Sequence, residues 1–207
     1  VINEYALSKT SVEGAPVEII KNYGAVTVKA GDLEVGFSRR SHKLYSIKKK
    51  GDELLSGEVK LNFWRALTDN DRGNKQEVRC GTWRKAGELA VTELGEVKNL
   101  GTKATVQLKF TTYTAPMSRG EILFTIGSKG IHVDYSFTPD EELPEIPEIS
   151  VVFPLKSDYE RLEYLGRGPM ENYIDRNKGA DLGLYKTSLE DVFVPYQKPQ
   201  EHGNRTG

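Results

Sequence analysis

Between Lys103 and Thr111 apolar and polar side chains alternate without a break, Ala104, Val106, Leu108 and Phe110 interleaving with Lys103, Thr105, Gln107, Lys109 and Thr111. Successive side chains of a strand point to opposite faces, so this period of two calls for a β-strand with one face buried. The pattern recurs along the chain. Val26 and Val28, then Leu33, Val35 and Phe37, alternate on either side of a tight turn at Gly31-Asp32. Ile122, Phe124 and Ile126 are followed, across Gly127-Ser128-Lys129-Gly130, by Ile131, Val133, Tyr135 and Phe137, which reads as a β-hairpin. Ile149 to Leu155 and Arg161 to Leu165 read as further strands. No internal repeat, low-complexity tract or amphipathic helix of three turns interrupts the series, so the fold class is all-β and antiparallel.

Residues 139–147 are acidic and proline-rich and are expected to form a solvated connection. Their carboxylates lack the regular spacing of a calcium loop. The final third, crowded with Gly, Pro, Asn and Tyr, reads mostly as shaped loop. Residues 1–20 carry a weaker pattern and read as a linker or the end of a preceding domain, with residues 21–207 as one domain. The chain opens at Val1-Ile2-Asn3-Glu4, which reads as an excised piece.

Charge excludes two partner classes. With 29 basic and 30 acidic residues the formal charge is -1, which gives no broad attraction to nucleic acid or to an anionic membrane. No stretch approaches transmembrane length. Cys80 is the single cysteine, so an intrachain disulfide is impossible and the residue reads as a packed thiol. The compartment, cytoplasm or periplasm, stays open.

Three segments depart from simple strand patterning. The first runs Asn62-Phe63-Trp64-Arg65-Ala66-Leu67-Thr68-Asp69-Asn70-Asp71-Arg72-Gly73, with Asn74 after it. Asp69 and Asn70 suit Asx-turns and Gly73 suits a positive φ, so a structural turn stands beside carbohydrate or metal contact as its reading. The second runs Gly166-Arg167-Gly168-Pro169-Met170-Glu171-Asn172-Tyr173-Ile174-Asp175-Arg176, and the third Pro195-Tyr196-Gln197-Lys198-Pro199-Gln200-Glu201-His202-Gly203-Asn204-Arg205. Both gather the amide, carboxylate, guanidinium and aromatic groups that bind sugars. Paired Arg and carboxylate residues such as Glu171, Asp175 and Arg176 more often pin a loop through bidentate bonds than act on substrate. Trp64 reads as a core residue.

Together, in this order and spacing, the three segments resemble the signatures of the small-chain domain of the β-galactosidases of glycoside hydrolase family 2: Asn-Phe-Trp-Arg-Ala-Pro-Thr-Asp-Asn-Asp, Gly-Pro-x-Glu-Asn-Tyr-x-Asp-Arg and Pro-Gln-Glu-x-Gly-Asn-Arg. The resemblance covers the chain from about residue 20 onward. Leu67 stands where the family commonly has proline, and His202 where it has asparagine. The resemblance implies a large antiparallel supersandwich of the galactose-mutarotase-like kind, incomplete at its C-terminal end, whose open edges would favour association or local disorder. It implies a domain that carries no catalytic residue, walls one side of a galactoside cleft with Asp69, Asn70, Asp71, Gly73 and Asn74, and uses the other motif residues structurally. The two carboxylates of a retaining mechanism, and magnesium, would sit on a barrel domain elsewhere in the full protein. That leaves this chain without a metal or other cofactor and inert alone. Its partners would be the remaining domains of the same polypeptide, the galactoside, and further copies in a homo-oligomer. The tryptophan that stacks on sugar in the family would lie beyond Gly207, leaving that role to neither Trp64 nor Trp83.

Two other functions fit part of the pattern. A free-standing carbohydrate-binding module needs only a groove of exposed aromatics and amides. A sugar epimerase needs an acid and a base over the ring, and His42, His132 and His202 are not paired with carboxylates by any motif.

Overall fold

The computed structural model describes residues 11–206. They form two compact units, one of residues 11–63 and 82–155, the other of residues 64–81 and 156–206. Residues 1–10, the first half of the linker reading, lie outside the described residues.

In the first unit, β1 (Val17–Lys21), β2 (Ala25–Ala30), β3 (Leu33–Ser38), β4 (Leu44–Lys49) and the short β5 (Asp52–Glu53) make an antiparallel sheet in chain order. β1 is paired with β2 from Val17 opposite Ala30 to Lys21 opposite Val26, so regular pairing begins ahead of residue 21. β6 (Lys60–Asn62) lies outside that sheet. A four-stranded meander follows, built from β7 (Val91–Asn99), β8 (Lys103–Thr111), β9 (Arg119–Gly127) and β10 (Gly130–Thr138). β11 (Ser150–Val152) then pairs with β6. The predicted turns close as the alternation requires: Ala30 faces Leu33 across Gly31-Asp32, and Gly127 faces Gly130 across Ser128-Lys129. Residues 139–147 join no strand.

The two sheets of this unit face each other, as the alternation demands. Val28, Val35 and Phe37 from one and Ala104, Val106, Phe124 and Ile126 from the other are fully buried. Phe37 and Phe124 meet edge to face, with ring centroids 5.4 Å apart, a favoured aromatic geometry. A second cluster joins Phe63, Trp83, Phe110, Tyr135 and Phe137. Phe63 lies 4.9 Å from Phe137 and 5.6 Å from Trp83, and the Trp83 indole N–H donates to the Pro144 carbonyl at 2.9 Å. Tyr135 reaches the cluster by its ring, and burial pushes its phenol well above the ordinary tyrosine range. Phe110 and Phe137 stack at 5.7 Å across β9, where Gly120 is the residue opposite both. A Cβ there would stand 2.7 Å from Phe110 Cε1 and from the Ser136 carbonyl oxygen, so only glycine leaves room for the stack.

Glu53 closes the end of the first sheet. Its carboxylate accepts from the Ser46 hydroxyl at 2.5 Å and from the amides of Ile47 and Leu55, each at 3.0 Å. Burial opposes its charge, but these donors outweigh burial and hold its pKa below the ordinary value of 4.5.

The second unit holds α1 (Asp69–Gly73), α2 (Gln76–Arg79) and a hairpin of β12 (Arg161–Gly168) and β13 (Asp181–Ser188), paired from Arg161 opposite Ser188 to Gly168 opposite Asp181. The final third is therefore less loop than its composition suggests. β13 is hidden in the sequence because its apolar positions, Leu182 and Leu184, are exposed, so they mark no buried face. Among the described residues the helices are single turns, and none is long and apolar enough to cross a membrane. Among the described residues the fold is all-β, antiparallel and sandwich-forming, with no closed barrel.

Gly120→Ala is expected to lower unfolding free energy by about 1–3 kcal/mol through overpacking against Phe110, measured by urea denaturation. An unchanged midpoint would show that the stack tolerates a methyl group. A group with a depressed folded pKa stabilises above its unfolded value and loses that contribution as pH falls through the folded one. Glu53→Gln should therefore flatten the decline in melting temperature below about pH 4.5, and an identical slope in both proteins would remove Glu53 from the acid response.

Candidate functional site

The three motifs become one structure through their polar groups. In the first, Asn62 and Phe63 belong to the first unit, where Asn62 Nδ2 donates to Glu148 at 2.8 Å and to Ser150 at 3.2 Å and Phe63 is buried. From Trp64 onward the motif belongs to the second unit. Thr68 is the N-cap of α1: its hydroxyl accepts from the Asp71 amide at 3.2 Å, and Asp71 Oδ2 accepts from the Thr68 amide at 2.9 Å. This reciprocal capping box satisfies two donors that a helix start otherwise leaves open. The Thr68-x-x-Asp71 spacing carries that signal in the sequence, although an Asx-turn at Asp69 and Asn70 is the reading it invites. Gly73 ends α1 without a positive φ. The left-handed residue is Lys75, at φ 58°, which caps α2. Trp64 is half-buried, and the fully buried tryptophan is Trp83.

Arg65 sits at the centre of this segment. Its Nη2 donates to Asp71 Oδ1 at 2.9 Å. Its Nη1 lies between Asp71 Oδ2 at 2.9 Å and Glu201 Oε1 at 3.1 Å, aimed squarely at neither, so that contact is electrostatic rather than a directed bond. The Asp69 amide donates to the Pro199 carbonyl at 2.9 Å, and Lys198 pairs with Asp69 at 3.2 Å.

The second and third motifs interlock through two buried side chains. Glu171 accepts from Arg176 at 3.1 Å, from the Tyr196 hydroxyl, and from the Gly203 amide at 3.2 Å. Gly203 stands at φ 73°, a conformation that costs glycine nothing. Asn172, 1% exposed, donates to the Arg167 and Met170 carbonyls at 2.9 and 3.2 Å and accepts from the amide and hydroxyl of Thr206. Its backbone exchanges bonds with Asn204 in both directions, each at 2.9 Å. The Tyr173 hydroxyl donates to the Glu201 carbonyl at 2.6 Å, and the Arg176 guanidinium lies over its ring, 5.2 Å from the centroid. Partial burial raises the Tyr173 pKa first, and the nearby Glu171 and Glu201 charges raise it further. Arg205 donates to the Tyr164 hydroxyl at 2.8 Å, and that hydroxyl in turn donates to the carbonyl of Pro169, the residue after Gly168, at 3.3 Å. Of the three residues suited to pinning, Glu171 and Arg176 pin, while Asp175 is exposed.

Between these segments lies a polar depression. Arg65, Thr68, Asn70 and Asp71 contribute from the first motif, Tyr173, Asp175 and Arg176 from the second, and Tyr196, Gln200 and Glu201 from the third. Asn70 is exposed and Asp69 half-exposed, whereas Asp71 is 5% exposed and committed to Arg65 and Thr68. Gly73 and Asn74 are exposed but do not line this depression. Tyr196, the aromatic residue of the third segment, both lines the depression and anchors Glu171.

Among the described residues no three of His, Cys, Asp and Glu are arranged to hold a metal ion. His132 meets Asp134 at 3.1 Å on exposed strand positions, a pairing of residues two apart on one face that strand periodicity could have shown. His42 Nδ1 lies 2.8 Å from the Thr92 carbonyl. His202 stacks on Phe193 at 4.7 Å and accepts from the Val194 amide at 3.2 Å, a loop role for the residue that departs from the family pattern. Cys80 is a buried free thiol.

Comparison with known proteins agrees with the convergence of these motifs. The family model described as beta galactosidase small chain matches residues 29–207. The chain is 35% identical over 195 residues to a β-galactosidase of Priestia megaterium, covering 90% of this chain and 18% of that protein. A β-galactosidase of Halalkalibacterium halodurans is 35% identical over 199 residues, with 89% and 19% covered. A β-galactosidase small subunit of Latilactobacillus sakei is 28% identical over 204 residues, which is 87% of this chain and 64% of that subunit. The chain thus spans a small part of the first two relatives and well over half of the third. With its motif residues bound to one another in space, and a family match running over all three motifs, the chain belongs to the β-galactosidase small-chain family.

Proposed function

We propose that this chain is the non-catalytic part of a β-galactosidase that hydrolyses terminal β-D-galactosides, and that its second unit walls one side of the substrate cleft. The supporting observation is the polar depression between the motifs. Tyr173 and Tyr196 bring aromatic rings to it, Asn70 and Gln200 bring amides, and both kinds of group bind sugars, whose C–H faces pack on rings and whose hydroxyls pair with amides.

Two of its carboxylates, Asp71 and Glu201, are committed to one guanidinium. Asp71 is buried and held by Arg65 and the Thr68 amide, and Glu201 shares the same guanidinium. A retaining mechanism instead needs two carboxyl groups facing each other across the scissile bond, about 5 Å apart. On this reading that pair, and the magnesium, belong to a barrel domain of the full protein. The partners of this chain are then the remaining domains, the galactoside and other copies in a homo-oligomer.

Asn70→Ala in the full-length protein should raise KM for o-nitrophenyl β-galactoside about fivefold, the scale of one lost hydrogen bond, and an unchanged KM would take the α1 side out of the cleft. The purified chain alone should leave the same galactoside intact. Measurable turnover would place proton-transfer groups on it. Calorimetric titration of the isolated chain with galactose and lactose should be silent, since a wall completes its site only with the other domains. Saturable binding at millimolar concentration or tighter would favour the carbohydrate-binding module.

A further inference from the structure

An α-helix of five residues is far too short to hold itself, because nucleation costs more than one turn returns. α1 therefore stays where outside contacts put it. Its capping box fixes how it starts but ties it only to Thr68, within its own segment. Three contacts tie it to the third motif. The Asp69 amide bond to Pro199 sets one distance. The Lys198–Asp69 pair joins side chains that are 72% and 41% exposed, and exposed pairs of this kind contribute little. The remaining contact is Arg65, whose partner Asp71 has a side chain only 6% exposed and whose other partner is Glu201.

We infer that Arg65 is a positioning residue of the cleft: one guanidinium hydrogen-bonds Asp71 through Nη2, while its Nη1 charge draws Asp71 and Glu201 together, and so holds Asn70 against the Gln200–Glu201 segment. The inference rests on the cleft reading above. It depends on the planar fork of arginine, because an ammonium group is a point charge that cannot face two carboxylate oxygens and a second carboxylate at once. It also gives Asp71 a role distinct from contact with sugar, since its oxygens are occupied by Arg65 and the Thr68 amide.

The test uses the full-length protein with o-nitrophenyl β-galactoside as substrate. Arg65→Lys keeps the charge and loses the fork, and KM should rise about tenfold, on the scale of one charge-assisted hydrogen bond, with kcat changed less. Glu201→Gln, which leaves the Arg65–Asp71 contact intact, should raise KM in the same direction by a smaller factor. The double variant should be no worse than Arg65→Lys alone, because both act through one contact. Lys186→Ala, which removes an exposed pair with Glu163 on the β12–β13 hairpin, should leave KM unchanged. If Arg65→Lys or Glu201→Gln lowers melting temperature while KM stays at the parent value, Arg65 is structural only and the inference falls. If Arg65→Lys does not fold, Glu201→Gln decides: a raised KM supports the inference and a parent KM overturns it. The two readings fail separately. A raised KM in Asn70→Ala with parent KM in the Arg65 and Glu201 variants sinks the positioning role alone, whereas parent KM in Asn70→Ala sinks the cleft.

Discussion

A polar group taken out of water must find a partner or cost the fold one to several kcal/mol, and in the second unit this demand sets the path of the chain. Among the described residues its buried side chains are mostly polar or charged, Thr68, Asp71, Glu171 and Asn172 among them, beside Cys80 and Ala180 as apolar ones. Asn172 can be buried because two carbonyls and the amide and hydroxyl of Thr206 meet its needs on every side. Glu171 can be buried because a guanidinium, a phenol and a backbone amide converge on it. Some partners, Arg167, Met170 and Arg176, are near neighbours in the same segment and others, Tyr196, Gly203 and Thr206, come from the third motif and the residue after it, so the bonds that satisfy these groups also hold the two segments together.

The first unit is organised differently. There a face of alternating apolar side chains is removed from water between two meanders, and the energy comes from area and close packing. Phe37 against Phe124, and the cluster around Phe63 and Trp83, are contacts of shape rather than direction. Such a core tolerates variation at equal volume, while a directional network does not. This contrast accounts for where the motifs fall: the residues that resemble the family most closely are concentrated in the unit whose integrity rests on donor and acceptor geometry.

Under the proposed function, that arrangement suits a surface that presents side chains rather than reacts with them. A carboxylate held by arginine and backbone amides is fixed in place, whereas a general acid needs an environment that leaves its proton available. Tyr173, Tyr196, Asn70 and Gln200 are placed around such fixed features, and sites supported in this way keep their geometry when ligand arrives.

The alternation in β2, β3, β8, β9 and β10 determined the all-β class, the two hairpin turns and most of the first-unit core before any coordinates existed, because strand geometry ties each side chain's direction to its parity in the sequence. The three motifs likewise disclosed the family, since chemically unusual runs in order and spacing are readable one residue at a time. Local sequence could not say which motif residue meets which. That Arg65 joins Asp71 to Glu201, that Asn172 encloses Thr206, and that Tyr196 serves Glu171 depend on segments far apart in the chain coming together. Nor could it reveal β13, whose leucines face solvent and so leave no trace of burial, or choose between Trp64 and Trp83 for the core. Hydrogen-bond partners and enclosure are properties of neighbours in space, and only the folded chain supplies those neighbours.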